Sequence, residues 1–159
     1  MPRRESRPLS SGETALAHSV FGGALDPERV RLHRAKWFVF QPKRVTMAPD
    51  GHIWCHPKGD NWSSDFACES LPLRALLVHE LVHCWQHQQG LNLILRRPPF
   101  ARYDYALLPG KPFERYGIEQ QACIVEDAYR LREGGLPVYD AATYGAADYA
   151  KLIPFGPLV

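Results

Sequence analysis

The sequence predicts an α+β domain in which a small antiparallel sheet packs against a central helix that is followed by a second helix. Two observations support this prediction. Segments rich in β-branched and aromatic residues, separated by turn residues, precede residues 70–89, where an apolar run indicates a buried helix. A second helical segment is predicted over residues 113–133. The length of 159 residues suits one domain with a sizeable core.

The N-terminal part is predicted to contain a flexible segment, a short helix and a strand. Residues 1–12 are rich in Arg, Ser and Pro, so we expect them to be flexible and to precede a single domain over residues 13–159. A short helix is expected over residues 13–21, because two glycines follow it. Aromatic and β-branched residues predict a strand over residues 30–40.

A hairpin is predicted over residues 45–56, because an Asp-Gly pair in its middle favours a tight turn. Ser70 is a common residue at helix starts, and Gly90 is a common residue at helix ends, so the central helix is expected between them. Residues 91–112 contain several prolines and aromatics and are predicted to form a long, packed connection. The last segment, residues 136–159, is expected to wrap the surface.

Composition excludes several classes of protein. The net charge of +2 is too small to indicate a nucleic-acid partner, and no run of apolar residues is long enough for a membrane span. Because no apolar segment follows the basic N-terminus, we expect a cytoplasmic protein, or one exported without a cleaved signal peptide. The cysteines have no Cys-x-x-Cys spacing, so a separate zinc knuckle is not expected. A chain of this size does not need disulfides, so we expect free, mostly buried thiols. They are Cys55, Cys68, Cys84 and Cys123.

The central helix carries a His-Glu-x-x-His motif formed by His79, Glu80 and His83. Positions four apart share one face of a helix, so both imidazoles can bind the same metal ion. The glutamate is placed to reach a metal-bound water, and together these residues indicate a zinc hydrolase site. The apolar neighbours bury the helix, where ionisable side chains need a partner. The alternative is a surface helix in which the three residues occur by chance.

A catalytic zinc takes three protein ligands and leaves one position for water, so a third ligand is needed. The second helix offers Glu119 and Glu126, which lie seven positions apart on one face. We expect Glu119 to be the ligand, because small and apolar side chains flank it. In contrast, Glu126 is followed by Asp127 and has Arg130 four positions on, a pattern typical of a solvated face.

Several segments resemble the bacterial Vgr-related proteins, short zinc-metallopeptidase-like proteins similar to the peptidase domain associated with contractile injection systems. The resembling segments are Val30 to Trp37, Met47 to His52, His79 to Gln86, Arg102 to Tyr105 and Tyr116 to Ala122. The resemblance covers roughly residues 13–135. It implies a zincin-like fold and a link to type VI secretion or a related machine.

The order of the elements also resembles a minimal zincin, in which a small sheet packs on the motif helix. The gluzincin plan adds a glutamate ligand from the next helix and an aspartate four residues later that orients a ligand histidine. Here that later position is Cys123, so Glu126 or Asp127 is expected to take the orienting role instead. Tyr103 and Tyr116 are candidates to donate a hydrogen bond to an oxyanion.

The sequence therefore predicts a zinc metallopeptidase that hydrolyses a peptide or protein with a metal-activated water and Glu80 as general base. The alternative is a non-catalytic metal-binding adaptor or effector module associated with a type VI or related contractile secretion system. In that case residues 91–112 or the C-terminal tail would block the cleft. An open cleft beside Glu80 favours the enzyme, and a filled cleft favours the adaptor.

Overall fold

The computed structural model describes residues 4–96, 101–140, 144–156 and 158. Within these ranges it contains four strands and five helices, which confirms the predicted α+β class. The strands are β1 (Glu5–Pro8), β2 (Arg31–Arg34), β3 (Thr46–Met47) and β4 (Ile53–Cys55). The helices are α1 (Ser11–Phe21), α2 (Leu71–Gln88), α3 (Leu93–Arg96), α4 (Ile118–Arg132) and α5 (Ala146–Leu152). No helix in the described ranges combines the length and the apolar character needed to cross a bilayer.

The four strands form one mixed sheet in the order β1-β2-β4-β3. β1 and β2 run antiparallel, as do β3 and β4, but β2 and β4 run parallel. The prediction of a purely antiparallel sheet is therefore wrong at its centre. After β2 the chain passes to the far edge of the sheet to form β3. It then returns through a hairpin, so that β4 fills the middle position in the same direction as β2.

The strand predicted over residues 30–40 is shorter than expected, because a buried side chain replaces a neighbouring strand as hydrogen-bond partner. The amide oxygen of Gln41 accepts a hydrogen bond from the backbone N–H of Trp37 at 2.8 Å. Its amide nitrogen donates to the carbonyl oxygens of Val45 and Trp54, at 2.8 and 3.1 Å. These bonds satisfy the backbone of an irregular segment between β2 and β3.

β3 and β4 form the hairpin predicted over residues 45–56, although a five-residue connection joins them rather than a tight two-residue turn. The carboxylate of Asp50 organises this connection. It accepts hydrogen bonds from the backbone N–H of His52 at 3.2 Å and from the indole N–H of Trp54 at 2.9 Å. Gly51 has a φ of 83°, a conformation that glycine adopts without strain.

The prediction that residues 1–12 are flexible is wrong for the part that the structure describes, because this part forms β1 and the start of α1. The first three residues lie outside the described ranges. The cause is Glu13, a fully buried glutamate that accepts two hydrogen bonds from the guanidinium of Arg7, at 2.7 and 2.8 Å. Its carboxylate also accepts from the backbone N–H groups of Ser10 and Phe66, at 2.8 Å each.

α2 packs mainly against α4 and also contacts α1 and β4. The side chains that fill the space around the two helices are almost fully buried. They include Leu77, Val78, Leu81 and Val82 of α2, and Ala122, Ile124 and Val125 of α4. The predicted end of the central helix at Gly90 is confirmed. This glycine has a φ of 87°, and the N–H of Leu91 donates to the carbonyl oxygen of Gln86 at 3.1 Å.

The second helix, predicted over residues 113–133, is divided into two pieces. A 3-10 turn at Phe113–Arg115 comes first, and α4 begins after an extended Gly117. The side-chain oxygen of Gln120 accepts a hydrogen bond from the N–H of Gly117 at 3.0 Å, which caps the new helix at that point. Tyr116 therefore lies outside the regular turns of α4.

Two segments predicted without regular structure each contain a short helix. Residues 91–112 include α3, and residues 97–100 within this segment lie outside the described ranges. Residues 136–159 include α5, so they do more than wrap the surface. Tyr149 of this helix is 1% exposed, and the ring of Phe155 stacks on Phe21 with a centroid distance of 4.8 Å.

The four cysteines are free thiols, as predicted. Three of them are buried, and Cys68 is exposed. Burial raises the pKa of Cys55 to about 12 and that of Cys123 to about 11. These two thiols therefore stay protonated near neutral pH.

We expect Glu13→Ala to lower the free energy of unfolding by about 3 to 5 kcal/mol, because it leaves Arg7 without its buried counter-charge. Urea denaturation of the variant and the wild type measures this change. The matched control is Glu28→Ala, which removes an exposed glutamate from a 3-10 turn. A loss no larger than that of the control would contradict the role given to Glu13.

Candidate metal centre

α2 presents His79 and His83 on one face, with ring centroids 5.1 Å apart. Glu119, in the first turn of α4, faces both rings across the helix interface. All three side chains are buried. One nitrogen from each histidine and one carboxylate oxygen lie within 4.8 Å of one another. The structure thus brings together the three residues that the sequence singled out as ligands.

The two rings approach Glu119 in the same way. Its Oε2 lies 3.3 Å from Nε2 of His79, and its Oε1 lies 3.2 Å from Nε2 of His83. The opposite ring nitrogens also have partners. Nδ1 of His79 lies 3.0 Å from Oε2 of Glu126, and Nδ1 of His83 lies 2.8 Å from Oε1 of Gln86. Each imidazole is therefore held at both nitrogens.

These contacts decide where the histidine protons lie. An ionised carboxylate can only accept a hydrogen bond, so Nδ1 of His79 donates to Glu126. In a neutral ring the lone pair of Nε2 then faces the carboxylate of Glu119. Lone pairs that face each other repel unless a proton or a metal cation lies between them. Two imidazole nitrogens and one carboxylate oxygen are a donor set that fits Zn²⁺.

The pKa values reflect the same arrangement. Burial acts to lower the pKa of His79, but its hydrogen bonds with Cys123 and the two glutamates outweigh burial and hold the pKa well above the usual range. Burial acts to raise the pKa of Glu119, but its bonds to both histidines hold the pKa well below the usual range. The centre therefore favours a negative carboxylate facing positive charge, whether a proton or a metal ion supplies that charge.

Glu80 follows the first histidine and is 4% exposed. Burial raises its pKa to about 7, against the opposing effect of the two histidines. Its Oε2 is buried and has no hydrogen-bond partner among the described residues. Buried polar atoms are nearly always paired, so an unpaired carboxylate oxygen beside a cavity is typical of a group that acts on a ligand.

A cavity of about 400 Å³ lies beside Glu80 and the three candidate ligands. One wall comes from the residues at and before β3, and another comes from α2 and α3. Its apolar lining includes Trp37, Val45, Met47, Leu76, Leu93 and Ile94. Leu93, Ile94 and Tyr103 are the described members of the 91–112 connection that line the cavity, and they do not fill it.

The two tyrosines predicted near the site lie in different places. Tyr103 lines the cavity, with its ring centroid 6.4 Å from that of His79. Tyr116, the other candidate to donate to an oxyanion, is not among the residues that line this cavity. Its hydroxyl accepts a hydrogen bond from the N–H of Leu108 at 3.0 Å, and its side chain lines a separate cavity. Tyr116 lies in this place because the helix is interrupted before α4.

Tyr139 is a residue of the site that the sequence did not indicate. It lines the cavity, and its ring centroid lies 6.4 Å from that of His79. Asp127 holds Tyr139 in this position. The carboxylate of Asp127 accepts hydrogen bonds from the N–H groups of Val138 at 2.7 Å and Tyr139 at 3.1 Å. Asp127 also accepts from the hydroxyl of Tyr105 at 2.7 Å.

Two expectations for α4 are therefore corrected. Asp127 was predicted as a possible partner of a ligand histidine, but it bonds to the segment that follows α4. Glu126 was compared with a residue of a solvated face, yet it is 3% exposed and bonds to both His79 and Arg130. The Arg130 contact that suggested solvent exposure exists, at 2.9 Å, but Glu126 also bonds to the side chain of Tyr139 from a later segment.

Comparisons with known proteins give one group of relatives. No family model matches the chain. The type VI secretion system spike protein VgrG2b of Pseudomonas aeruginosa is 40% identical over 133 residues, which cover 77% of this chain and 13% of that protein. The chain thus spans only a small part of the spike protein. The solved structure of the effector domain of VgrG2b matches with a TM-score of 0.70 and 35% identity, covering 91% of this chain and 80% of that one.

Proposed function

Because this chain belongs to the family of the VgrG2b effector domain, we propose that it is a type VI secretion effector domain that hydrolyses peptide bonds with zinc. Membership confirms the predicted resemblance to Vgr-related proteins. It supports the effector alternative more directly than the peptidase, since neither relative is named for a hydrolytic activity. The peptidase part of the proposal rests on the geometry of the candidate metal centre and on the packing of α2 against α4.

The observation that carries the peptidase proposal is the convergence of His79 and His83 on Glu119. Nε2 of each ring lies within 3.3 Å of the carboxylate, and a hydrogen-bond partner holds each opposite nitrogen. These three residues would hold Zn²⁺. When bound, the ion would polarise the scissile carbonyl group and activate the attacking water.

Glu80 supplies the proton transfer in this proposal. Its carboxylate lines the cavity, and one of its oxygens has no hydrogen-bond partner in the described part of the chain. From that position it takes a proton from the attacking water and passes it to the leaving amine. The hydroxyl of Tyr103 is a candidate to donate a hydrogen bond to the carbonyl oxygen, because its side chain lines the same cavity.

The cavity supports an enzyme over a blocked adaptor, because space for a substrate lies directly beside Glu80. β3 is an edge strand, and residues 45–47 form part of the cavity wall. An edge strand can pair with an extended peptide through backbone hydrogen bonds. The apolar lining suits uncharged side chains of such a peptide. We therefore propose a peptide or protein as the substrate.

We expect the purified wild type to bind about one zinc ion per chain. Glu119→Gln should weaken zinc binding by at least about tenfold, because it removes the negative charge that faces both histidines. Glu126→Gln should have a smaller effect, since the new amide can still accept a hydrogen bond from His79. Competition with a chromophoric chelator measures both affinities. A larger loss in Glu126→Gln would overturn the assignment of the third ligand.

We expect Glu80→Gln to retain zinc and to lower the rate of peptide hydrolysis by about 100-fold to 10,000-fold, because an amide cannot accept the proton. Mass spectrometry of a peptide library incubated with each protein would measure cleavage. The matched control is Glu114→Gln, which changes an exposed glutamate in a 3-10 turn. Loss of zinc from Glu80→Gln would show that Glu80 is a ligand, and cleavage at the wild-type rate would exclude it as the base.

A further inference from the structure

Gln86 is a fully buried glutamine on α2, one turn after the second histidine of the motif. Both ends of its amide are used. Its oxygen lies 2.8 Å from Nδ1 of His83. Its nitrogen donates to the carbonyl oxygen of Ile118 at 3.0 Å and to the side-chain oxygen of Gln121 at 2.9 Å. One side chain thus connects a ligand histidine on α2 with the first turn of α4.

The direction of this amide follows from its partners. The backbone carbonyl of Ile118 can only accept a hydrogen bond, so the NH₂ group of Gln86 must face α4. Gln121 agrees with this direction, because its own NH₂ group donates to the carbonyl oxygen of Tyr116 at 3.0 Å and leaves its oxygen for Gln86. The oxygen of Gln86 must then face the imidazole of His83.

We propose that Gln86 is a positioning residue that aligns two ligands of the metal centre from two different helices. Because its oxygen can only accept, it holds the proton on Nδ1 of His83 and directs the lone pair of Nε2 towards Glu119. Its NH₂ group fixes the carbonyl of Ile118, the residue directly before Glu119. This inference rests on the proposed zinc centre and adds to it the element that sets its geometry.

The two histidines are thus oriented by different chemistry. A carboxylate holds His79, and Arg130 in turn binds that carboxylate. A neutral amide holds His83, and it makes no ion pair. A carboxylate at position 86 would face the carbonyl oxygen of Ile118 and repel it, so only an amide can serve both helices at once. The neutral amide therefore suits the packing of α2 on α4 better than a carboxylate would.

Three variants test this role. Gln86→Met keeps the length of the side chain and removes both hydrogen-bonding functions. Gln86→Glu keeps an acceptor for His83 and removes the donor to Ile118. The control is Gln88→Met, on the same helix, where the native amide bonds only to the backbone of Asp26, at 2.9 Å through each end. Circular dichroism shows which variants fold.

We expect Gln86→Met to weaken zinc binding by about 10-fold to 100-fold and to shift the visible absorption of the cobalt-substituted protein. Gln86→Glu should show a smaller loss of affinity, and Gln88→Met should match the wild type in both measurements. A merely structural role would lower thermal stability without moving the cobalt spectrum. Zinc affinity of Gln86→Met equal to that of the control would overturn the inference. If Gln86→Met does not fold, wild-type zinc affinity in Gln86→Glu overturns it.

A second measurement separates this inference from the proposed function. Long-range ¹H–¹⁵N correlation spectra of the metal-free protein report which ring nitrogens of His83 carry a proton. We expect Nδ1 of His83 to be protonated in the wild type. A wild type that binds no zinc but shows this proton would refute the proposed function and leave the orienting contact intact. An Nδ1 without a proton would overturn the inference, whatever the zinc affinity.

Discussion

Three polar side chains lie inside the packed interface between α2 and α4, and the structure around them depends on how they are paired. Polar groups are tolerated in such a place only when each is paired, and His79, His83 and Glu119 meet this condition by converging on one another. Each outer nitrogen of the imidazoles then needs its own acceptor, and Glu126 and Gln86 provide it. The partners of the two histidines thus come from both helices, Gln86 from α2 and Glu119 and Glu126 from α4.

The surrounding elements keep this centre accessible on one side and enclosed on the others. The edge strand β3 and the irregular segment before it form one wall of the cavity, and Gln41 holds that segment in place. On the other side, Asp127 fixes the segment that carries Tyr139. Because these walls come from parts of the chain far apart in sequence, the cavity exists only in the complete fold. This agrees with a buried Glu80 that lines the cavity and has one oxygen without a hydrogen-bond partner in the described part of the chain.

Local patterns were enough to predict the two central helices and the convergence of His79, His83 and Glu119. The spacing of the motif and the apolar surroundings of Glu119 both indicate which side chains share one face of a helix. That property depends only on residues close in sequence. The mixed sheet, the ordered N-terminal strand and the role of Tyr139 were not predictable in this way. Each involves a side chain that bonds to backbone outside its own element: Gln41 bonds to Trp54, Glu13 to Phe66, and Asp127 to Tyr139. The burial of Glu126 was not predicted for the same reason. Its contact with Arg130 is local in sequence, whereas the residues that bury it are not.

The central claim is that the convergent imidazoles and the carboxylate form a zinc site. Anomalous scattering from crystals of the purified protein, collected on both sides of the zinc absorption edge, tests it most directly. We expect one strong peak that lies about 2.0 to 2.2 Å from Nε2 of both histidines and from a carboxylate oxygen of Glu119. A zinc peak elsewhere, or no peak while the three side chains keep their positions, would contradict the claim.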